Sequence, residues 1–398
     1  MKKSTKNLLF LTSAVIAGMH IYNRVVDSNA ERKNALKVDN GHYYKWKEGN
    51  IFYTKTGTGK PILLIHDTDS GASGEEWAKV AKKLAKNNTV YTIDLLGCGR
   101  SDKPSIQYTS YMYVQIITAF VNDVIGKPVN VAATNLSTAP VIMANALSKD
   151  LFNKIILINP VSLQQLKCIP DKSTKFKQNI INLPIIGTFI YNKLMSPIKV
   201  DLLFRNKFIS RGQLISDNMK DAYYESAHKG QSRGKYLYSS ILSNYINTNI
   251  APALKNLDKD VSIIASTGIK NNMDVINNYH KLNSKCDIIH IANAKLYPQL
   301  ELPEKTASII KKIVTNSKAG DKLKFVVERN GSKKTLTVTI KEASKSETNS
   351  NSSNSSNNSS DNSSDIYGNG GNDSYNDSYG SDNSSNGSDE DSVWNYFN

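Results

Sequence analysis

Short, almost wholly apolar segments alternate with helical segments through the first half of the chain, and this alternation limits the possible folds more than any other feature. The apolar segments fall at residues 61–65, 89–93, 129–133 and 154–158. Strands that are apolar on both faces are typical of a parallel sheet covered by helices on both sides. Residues 75–86, between the first two segments, repeat Trp77, Val80 and Leu84 at helical spacing. The order strand, helix, strand therefore predicts an α/β fold with right-handed connections.

Residues 94–104 follow the second strand and read Asp-Leu-Leu-Gly-Cys-Gly-Arg-Ser-Asp-Lys-Pro. The first apolar strand, farther upstream, ends at His66, and the strand after the motif is closed by a turn at residues 134–139. This order of motifs resembles the α/β-hydrolase family over residues 43–314. The resemblance implies an α/β-hydrolase-like, mostly parallel sheet with helices on both faces. It also implies that residues 161–252, whose pattern is helical, form a cap over the active site.

The resemblance implies a serine nucleophile in the turn after the third apolar strand. The family's Gly-x-Ser-x-Gly pattern corresponds to Asn135-Leu-Ser137-Thr-Ala139, so Ser137 is the candidate nucleophile. A Ser/Thr cap at the start of the next helix is the alternative interpretation. The backbone N–H groups of Thr138 and Asp67 would form the oxyanion hole. The carboxylate of Asp67 would oppose the developing negative charge unless it points away.

The general base and its acid partner are not at their usual positions. Leu296 stands two residues before Pro298, where family members carry the catalytic histidine, and leucine cannot accept a proton. His290 is the fallback base, although a histidine at its place on the last strand is more often a core or edge residue than a base. Asp274, downstream of Gly268, is the candidate acid, and a surface carboxylate at the start of a helix is the alternative.

Two classes of function remain open on this sequence. The first is a serine hydrolase that cleaves a small ester, amide or thioester through Ser137, with a nonstandard base. The second is a noncatalytic protein of the same fold that binds a ligand or a partner in the cleft. His66 is expected to orient its loop, and His228 to make a structural hydrogen bond in the cap. No metal, flavin or nicotinamide motif is present, so no cofactor is expected.

The first residues predict attachment to a membrane. Lys2, Lys3 and Lys6 precede an apolar stretch at residues 8–19. This stretch is shorter than the ~20 residues that span a bilayer as a helix. It suits an uncleaved anchor or, alternatively, an export signal. The positive flank predicts the N-terminus inside the cell and the body outside the cytoplasm.

The charge is unevenly distributed. The formal net charge is +15, but residues 349–398 hold eight acidic residues and no Lys or Arg, so removing them leaves +23. The lysines are scattered without an arginine-aromatic strip, so nucleic acid is not expected as a partner. The cysteines Cys98, Cys168 and Cys286 have neither CxxC nor Cys/His spacing, so neither a disulfide framework nor a zinc site is predicted.

The C-terminal region carries two further predictions. Residues 320–342 have two alternating segments joined at Asn330-Gly331, which predicts a β-hairpin that resembles the last hairpin of a PDZ domain. Beyond residue 344 the composition of Ser, Asn, Asp and Gly predicts disorder. The predicted organisation is an anchor and linker at 1–42, the hydrolase-like domain at 43–318, the hairpin at 319–343 and the tail at 344–398.

Overall fold

The computed structural model describes residues 3–211, 215–315, 322–329 and 332–339. Its main sheet has eight strands in the order β1-β2-β4-β3-β5-β6-β7-β8. These strands are β1 (Gly41–Trp46), β2 (Gly49–Thr56), β3 (Lys60–Ile65), β4 (Asn88–Ile93), β5 (Val129–Thr134), β6 (Phe152–Ile158), β7 (Val261–Ser266) and β8 (Cys286–Ile291). The pairs β1–β2 and β2–β4 are antiparallel, and all neighbours from β4 to β8 are parallel. The predicted mostly parallel sheet is confirmed.

Helices lie on both faces of the sheet and also form a separate layer. They are α1 (Lys3–Arg32), α2 (Ala78–Leu84), α3 (Ser110–Phe120), α4 (Thr138–Leu147), α5 (Lys172–Asn182), α6 (Ile185–Leu194), α7 (Pro197–Leu203), α8 (Asp217–Ser232), α9 (Gly234–Leu242), α10 (Ala251–Lys255), α11 (Asn272–Leu282), α12 (Pro298–Glu301) and α13 (Pro303–Thr315). Alternate residues of a strand point to opposite faces. In β3, Leu63 therefore joins the apolar core under α3, α4 and α11, whereas Leu64 joins the core under α2 and α13.

Residues 161–252, which we call the cap, lie between β6 and β7 and contain helices α5 to α9. A third apolar cluster, rich in Tyr and Phe, holds these helices together. The cluster also takes in Leu296 and Tyr297, which follow β8. The cap is therefore packed directly on the loop in which the sequence places the family's base.

The motif at residues 94–104 forms a tight loop that ties the sheet to the cap. The Asp94 carboxylate accepts hydrogen bonds from the backbone N–H groups of Gly74 and Arg100 and from the Arg100 guanidinium. Gly99 has a φ of +48°, and a Cβ there would lie 2.2 Å from the Asp94 carboxylate oxygen. Its N–H donates to Ser226 Oγ in α8 at 2.8 Å. Glycine is needed here both for the backbone angle and for the close approach.

A two-stranded antiparallel sheet of β9 (Lys322–Arg329) and β10 (Ser332–Thr339) forms the hairpin predicted for residues 320–342. It belongs to a second compact unit, separate from the unit that ends at Thr315. The predicted disorder beyond residue 344 lies outside the described residues.

Candidate functional site

The carboxyl ends of β3 and β5, which are neighbours in the sheet, bring the loop after β3 to the turn after β5. His66 opens this loop and is fully buried. Its Nε2 accepts a hydrogen bond from the Leu95 N–H at 2.9 Å, so its Nδ1 carries the proton and donates to the Asp67 carbonyl at 2.6 Å. Burial lowers the pKa of His66. Both ring nitrogens are occupied, and the neutral imidazole links the ends of β3 and β4.

The turn after β5 contains one residue with a left-handed backbone, and it is Asn135. Asn135 follows the last strand residue directly and has a φ of +48°. Ser137 has ordinary helical angles, with φ −68° and ψ −11°, and leads into α4. Asn135 is half-buried, whereas Ser137 is fully buried. The residue presented by the sharp part of the turn is therefore Asn135, two positions before the predicted nucleophile.

The Ser137 hydroxyl is enclosed by short hydrogen bonds. Its Oγ donates to the His66 carbonyl oxygen at 2.6 Å. Because a hydroxyl has one proton, the 2.8 Å contact with Thr68 Oγ1 has the threonine as donor. Within residues 3–211 and 215–315, no imidazole nitrogen is hydrogen-bonded to Ser137. Ser137 thus joins the turn to the loop after β3.

The side chain of Asp67 points at the turn after β5. One carboxylate oxygen accepts from the Leu136 N–H at 3.1 Å. The other accepts from the Asn135 amide and from the Tyr297 hydroxyl, each at 2.8 Å. Burial raises the pKa of Asp67 to about 6, against the opposing effect of the Asn135 hydrogen bond. The sequence analysis required the Asp67 carboxylate to point away from the site if the site were catalytic. In the structure the carboxylate points toward the turn after β5.

The two N–H groups predicted for the oxyanion hole are both engaged within the protein. The Thr138 N–H closes the short helical turn on the Asn135 and Leu136 carbonyl oxygens. The Asp67 N–H faces Glu76 Oε2 at 3.5 Å. Burial, followed by the nearby Asp67 carboxyl, raises the pKa of Glu76 well above its usual value. These donors satisfy internal acceptors instead of pointing at a common position.

Aromatic side chains of the cap and of the loop after β8 pack together beside Asp67. Tyr297 is buried, and its ring lies 4.5 Å from that of Phe208 in the cap, centroid to centroid. Phe208 in turn packs on Tyr223, whose hydroxyl donates to Asp69. Leu296 is buried in the same cluster. The position of the family's base is therefore part of an apolar core that joins the cap to the sheet.

The remaining predicted site residues are not brought to Ser137. Asp274 is exposed on the first turn of α11, and His290 is exposed on β8, an edge strand. Asn159, which directly follows β6, is a buried polar residue at the carboxyl ends of the strands. Its amide donates to the Leu296 carbonyl at 2.9 Å, and its oxygen accepts from the Asn272 amide at 3.1 Å. Amides thus hold the loop that follows β8.

The sequence reasoning missed Tyr297 and Asn159 at this site, and it identified Asn135 as a residue of the turn but not as the residue that the turn presents. A signal existed for Asn135, because it is the first residue after the apolar run and asparagine is one of the residues that tolerate a positive φ. Tyr297 and Asn159 had no comparable signal, since their partners are far away in sequence. In the part of the chain that the structure describes, no group of three or more His, Cys, Asp or Glu residues could hold a metal ion.

Comparison with known proteins agrees with this architecture. Residues 60–182 match the profile of a family described as alpha/beta hydrolase fold. The chain is 30% identical over 114 residues to 2-hydroxy-6-oxo-6-(2'-aminophenyl)hexa-2,4-dienoic acid hydrolase from Metapseudomonas resinovorans, a match that covers 28% of this chain and 39% of that enzyme. The matched part is thus well under half of that relative's length.

Two solved structures are similar over far more of the chain. A serine hydrolase involved in carbazole degradation, the CarC enzyme, superposes with a TM-score of 0.56 at 17% identity, covering 69% of this chain and 98% of that one. A membrane phospholipase A superposes with a TM-score of 0.55 at 17% identity, covering 80% and 100%. The sheet, the family match and these neighbours show that the chain has an α/β-hydrolase fold. The match at residues 60–182 does not reach the hairpin β9–β10, so the resemblance to a PDZ fragment gains no support.

Proposed function

We propose that this protein is a noncatalytic member of the α/β-hydrolase fold that binds a ligand or a partner while α1 holds it at a membrane. The observation that carries the proposal is the Asp67 carboxylate, which accepts a hydrogen bond from the Leu136 N–H. A negative charge at the turn after β5 repels the oxyanion that acyl transfer would form there.

The backbone of the turn supports an assignment of the nucleophile position to Asn135. In this fold the nucleophile sits on a strained turn between a strand and a helix, and the N–H of the next residue stabilises the oxyanion. Asn135 has the left-handed φ and directly follows β5, so the next N–H is that of Leu136. The Asn135 amide is a poor nucleophile and already donates to Asp67. On this assignment, an internal carboxylate takes the place of the oxyanion.

The rest of the site favours the same conclusion. Leu296 supplies no base, and Asn159 supplies an uncharged amide where a histidine would need a carboxylate. The Tyr297 and Phe208 rings pack against each other, and the Tyr297 hydroxyl donates to the same Asp67 carboxylate. A ligand or partner that reaches Asp67 from this side has to displace Tyr297.

Attachment to a membrane rests on α1. Between Leu9 and Arg32, α1 is long and apolar enough to cross a bilayer, a test that signal sequences near an N-terminus also pass. The hydrogen bonds of Asn23 to the cap favour an anchor over a cleaved signal, because cleavage after Asn23 would remove these bonds and cleavage before it would cut the continuous helix α1. We propose that the uncleaved helix anchors the protein, with the body outside the cytoplasm.

A serine hydrolase acting through Ser137 on a small acyl substrate is the second candidate. It is favoured by the hydrolase from Metapseudomonas resinovorans, whose 30% identity covers 114 residues. Such an activity requires Ser137 to break its hydrogen bond to the His66 carbonyl and to find a base that the described contacts do not supply.

Labelling with a fluorophosphonate distinguishes the two candidates. Full-length protein is treated with the probe in detergent and in vesicles, beside Ser137→Ala and, as a matched control, Ser210→Ala at an exposed serine of the cap. We expect no labelling of any of the three proteins, and no ester or thioester turnover that Ser137→Ala abolishes. Labelling that persists in Ser210→Ala and disappears in Ser137→Ala would establish the hydrolase and refute the noncatalytic assignment.

A further inference from the structure

The second half of α1 is fastened to the cap. Asn23 donates to the Ile185 carbonyl at 3.0 Å and accepts from the Asn192 amide at 3.0 Å. Tyr22 stacks edge-on against Phe189 with ring centroids 5.2 Å apart. The direction of α1 relative to the cap is therefore fixed from Tyr22 onward.

The first half of α1 extends away from these contacts. Large apolar side chains along it are exposed, among them Phe10 at 78%, Leu11 at 63% and Ile21 at 63%. Residues 8–21, the apolar part of this half, form roughly 21 Å of helix at 1.5 Å per residue, and the lysine-containing turns before them extend the helix toward the ~30 Å hydrocarbon thickness of a bilayer. If this segment spans the bilayer, Tyr22 lies where the helix leaves the lipid. The part of the cap that Tyr22 contacts then lies at the membrane surface.

That part of the cap is the α5–α6 hairpin, residues 172–194, and it is basic and apolar. The hairpin contains four Lys residues and no Asp or Glu, whereas residues 215–315 contain thirteen Lys and Arg and nine Asp and Glu. Phe176, Leu183 and Ile186 are large apolar side chains that are 66%, 44% and 42% exposed. A surface of exposed apolar groups among lysines is typical of protein that lies in the interface of an anionic bilayer.

The hairpin is held rigidly in this exposed position. The Lys235 ammonium donates to the Leu183 carbonyl at 2.8 Å and to Thr188 Oγ1 at 2.9 Å. Ile186 is the neighbour of Ile185, whose carbonyl binds Asn23 of α1. The exposed apolar side chains are therefore fixed beside the point where α1 meets the cap.

We propose that the α5–α6 hairpin lies on the bilayer that α1 enters, with its apolar side chains among the headgroups and its lysines against anionic phospholipid. This inference rests on the anchoring role of α1 in the proposed function. It adds a second lipid contact and an orientation, because the cap faces the membrane and the sheet lies farther from the lipid. The occupant of the surface is phospholipid and not another protein.

An environment-sensitive fluorophore tests the contact in the full-length protein. Cys168 is the exposed cysteine among the three, so Cys168→Ser provides the background for single labelling sites. Ile186→Cys carries the probe on the hairpin, and Leu147→Cys, at a 63% exposed leucine ending α4, is the matched control. Both variants are reconstituted into vesicles of phosphatidylcholine with phosphatidylglycerol, and carbonate extraction measures insertion.

We expect emission from position 186 to shift to shorter wavelength and to be quenched by doxyl-labelled lipids, with position 147 unchanged. Quenching at 186 should weaken in vesicles of phosphatidylcholine alone and in a Lys172→Gln, Lys175→Gln background. Inserted protein with a solvent-like probe at 186 would overturn this inference and leave the anchor intact. Protein that carbonate extracts would refute the anchor and the inference together. A blue-shifted probe at 186 that doxyl lipids do not quench would indicate a protein partner instead.

Discussion

Replacement of Tyr297 by Phe tests whether the inward-facing Asp67 carboxylate is ionised and held by hydrogen bonds. The Tyr297 hydroxyl donates to Asp67 Oδ2 at 2.8 Å, and both side chains are buried, at 1% and 3% exposure. A buried hydrogen bond to a charged group contributes ~1.5–3 kcal/mol and one between neutral groups ~0.5–1.5 kcal/mol. The cost of Tyr297→Phe should therefore depend on the charge of Asp67.

The pKa of Asp67 determines the pH at which this cost changes. Burial raises it to about 6, above its usual value, so the folded protein binds a proton there more tightly than the unfolded chain does. The ionisation penalty is therefore absent at low pH and grows as the pH rises through 6. Removing the Tyr297 donor raises the pKa of Asp67 further. The variant should recover stability relative to the wild type as the pH falls.

The assay is urea denaturation of the full-length protein in a non-ionic detergent, followed by circular dichroism. We expect Tyr297→Phe to lower the free energy of unfolding by ~2–3 kcal/mol at pH 8 and by ~1 kcal/mol at pH 4.5. That difference corresponds to roughly one unit in the pKa of Asp67. The control is Tyr279→Phe, because its hydroxyl donates at 2.7 Å to the Val161 carbonyl, which does not titrate. Equal losses at both pH values for Tyr297→Phe would refute the reasoning.

Two further outcomes follow from the site and from its contact with the cap. Leu296→His should not produce fluorophosphonate labelling, because the new imidazole leaves the Asp67 carboxylate on the Leu136 N–H; measurable labelling of that variant would contradict this expectation. Ser226→Ala should lower the free energy of unfolding by about 1–3 kcal/mol in urea, since it removes a buried hydroxyl that accepts from the Gly99 N–H and donates to the Ser70 and Ala72 carbonyl oxygens; an unchanged midpoint would show that these contacts are not needed.

Periodicity and local chemistry were sufficient to predict the sheet. The apolar run that became β5 is buried at every position, and the run that became β3 is buried at every position after its first residue. Such segments have few places in a fold other than the middle of a covered parallel sheet. The helical cap was also predictable, because the loss of the strand pattern is a local signal.

The arrangement of side chains at the turn after β5 could not be predicted from neighbouring residues, because it depends on contacts made in the tertiary structure. The sequence identified Asn135 and Ser137 as residues of the turn, but backbone strain determines which of them the turn presents. The sequence also showed that Asp67 would place a carboxylate near the predicted oxyanion hole. The direction in which it points depends on Tyr297, 230 residues away, and on the Leu136 N–H.

For the N-terminal helix, too, the sequence predicted one part of the result and the tertiary structure decided the other. The sequence by itself determined that residues 8–19 are apolar and flanked by lysines, which is enough to predict membrane attachment. It could not show that the helix continues to Arg32 or that Asn23 binds the cap, because those hydrogen bonds join residues more than 160 positions apart. Hydrophobic pattern is a property of neighbouring residues and survives in the bare sequence. Hydrogen bonds between distant side chains exist only once the chain has folded.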